Sequence, residues 1–131
     1  AIGADNNQVQ DYPVTQVTWF SGIEFCNRLS IIMGLKPCYL SLIEDSCRVI
    51  YWDETLEGIR LPTYDEWTYL AKGGENFRYA GSDDHTEVAW TYENSGGRIH
   101  IVGELKPNGY GLYDMNGNVW QWVWDGRNLS T

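Results

Sequence analysis

The stretch that most constrains this chain runs from Asn108 to Trp124, NGYGLYDMNGNVWQWVW. Its first half, Asn108 to Asn118, sets Gly109, Gly111 and Gly117 among Asn108, Asp114, Asn116 and Asn118. Glycine takes positive φ at little steric cost, and Asn and Asp bond their own backbone, so this half reads as a tightly wound loop. The second half alternates. As a strand, Val119 to Trp124 puts Trp120, Trp122 and Trp124 on one face and Val119, Gln121 and Val123 on the other. A buried aromatic removes roughly 150–250 Å² from water. Three indoles in register therefore form either one face of a core or one wall of a binding surface.

The loop also offers oxygen. Asp114, Asn116 and Asn118 recur at every second position, and Asp125 stands where a twelve-residue calcium loop would end. That loop needs glycine at its sixth position, which here is Val119, and a strand follows in place of a helix; the helix–loop–helix calcium motif is rejected. Calcium held by Asp114 and nearby carbonyls stays open, because hard cations accept mixed side-chain and backbone oxygens. The alternative is that Asp114 and the asparagines only close turns.

A length of 131 residues predicts one domain over 1–131, with 1–11 as a polar, aperiodic and flexible lead-in. Abundant glycine and few helix-forming runs favour an irregular, loop-rich α+β fold. Nine basic residues against 18 acidic give a net charge of −9, which disfavours nucleic acid and anionic membrane surfaces as partners. No apolar run is long enough to span a membrane. Cys26, Cys38 and Cys47 are odd in number and lack metal-ligand spacing, so a zinc site is not expected.

Two helices and a hairpin are legible along the chain. Tyr12 to Thr18 is β-rich, and Thr18 can cap a helix in which Trp19, Ile23, Cys26, Leu29 and Met33 form one apolar stripe ended by Gly34. Cys38 to Ile43 and Cys47 to Trp52 flank Glu44-Asp45-Ser46; a turn there would pair Leu42 with Cys47. Cys38 and Cys47 would then not face each other, and Cys38 could meet Cys26 only if the hairpin folds over the helix. In Arg60-Leu61-Pro62-Thr63-Tyr64-Asp65-Glu66-Trp67, Thr63 and Glu66 have capping-box spacing, which favours a structural over a catalytic Glu66. Trp67, Leu70 and Ala71 should face inward, and Arg60 is a candidate buried ion-pair partner for one of these acids. His85 lies in an acidic loop and reads as a surface residue. Ser95 and His100 have no evident geometry for a nucleophilic triad.

Four ordered segments carry a resemblance: YPVTQVTWFSGIEFCNRL, RLPTYDEW, NSGGRIH and GLYDMNGNVWQW. Together they resemble the formylglycine-generating-enzyme, or sulfatase-modifying factor, family over roughly residues 12 to 124. The resemblance implies a C-type-lectin-like α+β fold with two helices beside short twisted antiparallel strands, in a domain expected to be truncated at its C-terminal end, with the family's final strands missing from this sequence. It implies calcium on the Asp114 side chain and the backbone oxygens of Asn116, Gly117 and Val119.

The family's enzymes oxidise a substrate cysteine to formylglycine with copper held by two cysteines after the WxW strand. Those cysteines have no counterpart here and Gln121 replaces the family's glutamate, so no copper is expected in this chain. The resemblance therefore implies a non-catalytic recognition module, as in bacterial and phage variable proteins diversified by retroelements. Tyr110, Tyr113, Trp122, Trp124 and Asn128 are then surface contacts for a protein or small-molecule ligand. Thr63, Glu66, Trp67, Trp19 and Arg60 are structural. The alternatives are a piece of a copper oxidase or sulfoxide synthase, or an accessory domain of a larger signalling or defence protein. A bacterial cell-surface or extracellular setting fits the module reading. An open edge at the Trp-rich strand predicts a homodimer or completion by another chain.

Overall fold

The computed structural model of the protein describes residues 11–125. Of the expected lead-in, only Asp11 falls among them; its carbonyl accepts the Val102 N–H at 2.8 Å. The elements are α1 (Trp19–Ile32), β1 (Tyr39–Glu44), β2 (Cys47–Trp52), α2 (Tyr64–Lys72) and α3 (His85–Val88). They fall into two compact units. Among the described residues one comprises 16–64 with 122–125, and the other 11–15 with 65–121.

The first unit is built on α1 and the hairpin. Thr18 caps α1, its side-chain oxygen accepting the Ser21 N–H at 3.1 Å, and Gly34 follows the helix at φ +74. The buried face is Ile23, Cys26 and Ser30, with Trp19 packed against it. Met33, expected on that stripe, is 59% exposed, because the helix has ended and it serves as the C-cap. Ser30 is fully enclosed: its hydroxyl donates to the Cys26 carbonyl and accepts the Ile59 N–H, both at 2.8 Å. A hydroxyl is tolerated in a core only when satisfied in this way.

The hairpin forms where expected but in a different register. Glu44 pairs with Cys47 and Leu42 with Val49, two residues away from the predicted pairing. The reason is a two-residue turn, Asp45-Ser46, with φ +48 and +67, the primed geometry that matches strand twist. Cys38 and Cys47 do not meet. Cys38 joins Cys26 in the core, Cys47 is exposed, and all three thiols are free.

Trp124 is the hub of this unit. It stacks on Tyr39 at 5.0 Å between ring centroids and meets Trp19 at 5.4 Å and Trp52 at 5.6 Å. Each aromatic pair adds about 0.5–1.5 kcal/mol beyond the area it buries. The Trp124 N–H donates to the Pro62 carbonyl at 2.8 Å. The Asp125 carboxylate accepts the Tyr64 N–H at 2.7 Å, at the first residue of α2.

In the second unit α2 has no fully buried residue, and Leu70 is 38% exposed rather than turned inward. Val88 and Ala89 are its most buried apolar side chains, both 1% exposed. Helix α3, unforeseen in the sequence, is a four-residue turn capped by Asp84, whose carboxylate accepts the Thr86 N–H at 2.9 Å. The Thr86 hydroxyl and then this N–H hold the Asp84 carboxyl below its ordinary range. Neither Tyr12–Thr18 nor Val119–Trp124 forms a strand among the described residues. After Asn118, at φ +69, the Val119 N–H turns back to the Gly117 carbonyl, so the alternating segment has no ladder to join. Its indoles accordingly have different fates: Trp120 is 99% exposed, Trp122 is 50% exposed, and Trp124 is core.

Candidate functional site

The glycine-asparagine loop is organised by Asn108, which is 5% exposed. Its amide nitrogen donates to the Leu70 carbonyl at 2.7 Å and the Ala71 carbonyl at 3.0 Å, at the end of α2. Its amide oxygen accepts the N–H groups of Tyr110 and Leu112, both at 3.0 Å. One side chain thus satisfies two orphan helix carbonyls and winds the next turn. Close backbone passages surround it. A Cβ on Gly73 would strike Asn108, and one on Gly117 would strike the Trp90 carbonyl, which accepts the Asn118 N–H at 2.9 Å. Asn118 also brackets His100, donating to its carbonyl and accepting its N–H, both at 3.0 Å. His100 stacks on Trp90 with centroids 3.8 Å apart and meets the carbonyl, not the hydroxyl, of Ser95.

Downstream, Asp114 sits at φ +57. One carboxylate oxygen, Oδ2, accepts the Gly103 N–H at 2.8 Å; the other, Oδ1, is buried and has no hydrogen-bond partner among the described residues. The Asp114 carbonyl accepts the Gln121 amide at 2.8 Å, while the Gln121 oxygen accepts the Trp67 indole N–H at 2.9 Å. Beside it opens a cleft of about 380 Å³ whose lining includes Tyr113, Asp114, Gly117, Val119 and Gln121. An orphaned buried carboxylate oxygen suits a hard cation. Asp114 supplies the charge, and the carbonyls of Asn116, Gly117 and Val119 are close in sequence; that of Gly117 already accepts one N–H. No cluster of three or more His, Cys, Asp or Glu occurs among the described residues, so a cation here would rely on carbonyls and water.

The surface candidates separate. Tyr110 is 46% exposed and its hydroxyl donates to that of Tyr69 at 3.1 Å, a bond that raises the Tyr110 phenol above its ordinary value. Tyr113 is 47% exposed on the cleft. Trp122 is half-exposed, with its indole N–H on the Val17 carbonyl at 3.1 Å. Trp124 belongs to the core of its unit, and Asn128 lies outside the described residues. Among the structural residues, Trp19 donates its indole N–H to the Val123 carbonyl at 3.0 Å. The Arg60 guanidinium lies over Trp52 at 4.8 Å. Thr63 immediately precedes α2 and Glu66 is in its first turn.

The two most exposed aromatics are Trp120 at 99%, one of the three alternating indoles, and Tyr92 at 95%, which the sequence did not single out. Tyr92 stands on a turn pinned by Asn94, which accepts the Thr91 N–H at 2.7 Å and donates to the Ala89 carbonyl at 2.9 Å. The signal was present in Thr91-Tyr92-Glu93-Asn94, where an Asn three residues after Thr can close the turn.

Short helices, one antiparallel hairpin and long wound loops bearing polar and aromatic groups define a C-type-lectin-like α+β scaffold. The chain belongs to the sulfatase-modifying factor enzyme 1-like domain family, whose profile matches residues 2–129. It is similar to Treponema denticola variable protein 1, at 35% identity and a TM-score of 0.81, over 95% of this chain and 52% of that one. It is 37% identical to the chaperone protein LppX of Paenibacillus barcinonensis, over 88% of this chain and 52% of that protein. It is 38% identical to the formylglycine-generating enzyme of Mycobacterium tuberculosis over 50% of this chain, covering 27% of that enzyme. The chain thus spans about half the length of the first two relatives.

Proposed function

We propose that this chain is a non-catalytic recognition module in which aromatic side chains on hydrogen-bonded loops contact a protein or small-molecule ligand. The observation that carries the reading is the near-complete exposure of Trp120 and Tyr92 above loops pinned by Gln121, Asn118 and Asn94. Aromatics held on fixed loops give large contact area at low entropic cost. The names of two relatives, a variable protein and a chaperone, fit a scaffold whose loops address other molecules.

Diversification by a retroelement is part of the proposal. It predicts that copies from related isolates differ mainly from Trp120 onward and at Tyr110 and Tyr113. Binding fragments selected from a display library test the module itself. Trp120→Ala and Tyr92→Ala should abolish binding without shifting the melting temperature; binding unaffected by both overturns the reading.

Two further proposals attach to it. Calcium is held by Asp114 with the carbonyls of Asn116, Gly117 and Val119, and stiffens the loop. A further chain, from the same polypeptide or a second copy, covers the exposed Phe25 (64%), Ile32 (81%) and Ile43 (70%). The competing reading, a piece of a formylglycine-generating oxidase, is favoured by the similarity to the mycobacterial enzyme. A downstream pair of cysteines that binds copper(I) in the longer protein would establish it.

A further inference from the structure

A second cleft, of about 310 Å³, is lined by Tyr79, His85, Ala89, Thr91, Tyr92, Glu93 and Asn116. It is at the small end of ligand pockets, sized for one side chain and not for a large cofactor. Buried Ala89 is part of its wall, and Thr91, Tyr92 and Glu93 of the 91–95 turn form its rim. That turn is closed four times: Asn94 accepts from the Thr91 N–H and donates to the Ala89 carbonyl, and the Asn94 and Ser95 N–H groups both donate to the Thr91 carbonyl. Tyr92 and Glu93 are therefore presented from a fixed backbone.

The charges are arranged for a cation. His85 Nε2 lies 3.3 Å from Glu93 Oε2 and orients the carboxylate. Glu93 remains 79% exposed, open to a ligand donor. Tyr79 packs on His85 at 5.9 Å between centroids; its ring also carries the Arg78 guanidinium at 5.6 Å, so Tyr92 is the free aromatic wall. The chain has a net charge of −9. A planar cation that stacks on a phenol while donating to a carboxylate matches these groups best, which is guanidinium chemistry; ammonium lacks the planar fork.

We propose that this cleft binds an arginine side chain of a partner polypeptide, stacked on Tyr92 and paired with Glu93, with His85 as a positioning residue. The inference rests on the recognition reading above and specifies one of its contacts.

The test is an amide NMR titration of the full chain with N-acetylarginine amide, run beside its neutral isostere N-acetylcitrulline amide. Saturable shifts confined to His85, Thr91–Ser95 and Asn116 are expected with arginine and not with citrulline. Glu93→Gln should weaken binding roughly tenfold, the equivalent of one hydrogen bond to a charged group. Tyr92→Ala should do so as well, with the remaining spectrum unchanged. Equal shifts with citrulline, shifts spread over the surface, or unchanged affinity in Glu93→Gln overturns the proposal. If that happens while selected partners still depend on Trp120, only this site is lost; if Trp120 dependence also fails, the module reading goes with it.

Discussion

Asn108 offers the most direct perturbation of the loop on which the site is built. Truncation in Asn108→Ala removes four side-chain hydrogen bonds, to Leu70, Ala71, Tyr110 and Leu112. At about 0.5–1.5 kcal/mol net for each, the loss is about 2–6 kcal/mol. A domain of this size has only about 5–15 kcal/mol to lose, so the variant lies near the edge of folding. With a urea slope of about 2 kcal/mol/M, the midpoint should fall by about 1–3 M. Asn108→Asp is the sharper variant. It keeps an acceptor for the Tyr110 and Leu112 N–H groups but sets an oxygen against the Leu70 and Ala71 carbonyls, so it should be at least as unstable. Hydrogen exchange locates the effect: the Tyr110 and Leu112 amides should lose the most protection. A loss below about 1 kcal/mol in both variants, with those amides unchanged, would refute the role assigned to Asn108.

Further outcomes follow from individual contacts. Without calcium, Asp114→Asn should be as stable as the parent chain or more so, because it removes an orphaned buried carboxylate oxygen. Added calcium should raise the parent's melting temperature and leave the variant's unchanged; no calcium effect on the parent removes the proposed metal. Gly117→Ala should cost about 1–3 kcal/mol by forcing its methyl onto the Trp90 carbonyl, whereas Gly97→Ala, where a Cβ meets nothing, pays only for its positive φ; equal losses contradict the steric account. Ser46→Gly should stabilise by about 1 kcal/mol, since Ser46 sits at φ +67, and no gain in denaturation midpoint argues against the two-residue turn. Burial pushes the Tyr39 phenol up to about 12, against the lowering effect of the Leu61 N–H it accepts. A raised pKa favours the protonated folded form, so this contribution is complete below about pH 10 and is lost between about 10 and 12. Ultraviolet titration should show one phenol ionising last, and Tyr39→Phe should remove it.

How much of this was legible in the sequence depended on how local the cause was. Helices α1 and α2 were readable because Thr18, Gly34 and the acidic first turn Asp65-Glu66 are signals that act within a turn or two. The hairpin was readable but not its register, because two non-glycine residues at positive φ close the turn and nothing in Asp45-Ser46 advertises it. The strand reading of Val119–Trp124 rested on spacing alone. The Asp125 carboxylate accepts a backbone N–H 61 residues away in sequence, a contact no local pattern announces. The alternation of three tryptophans had no partner strand, so Trp124 went to a core assembled from Trp19, Tyr39 and Trp52. Ser30 and Asn108 show the same limit. Their polar groups are explained only by carbonyls and N–H groups that folding brings to them.

The central claim is that exposed aromatics on pinned loops form a contact surface. Iodide quenching of Trp120, measured by difference between the full chain and Trp120→Phe in the longest natural form of the protein, tests it most directly. The account predicts that this substitution removes the most readily quenched component of the emission, leaving a remainder dominated by shielded indoles such as Trp124. A Trp120 component as protected as that remainder would show the indole to be an internal packing residue, and the proposed recognition surface would not exist.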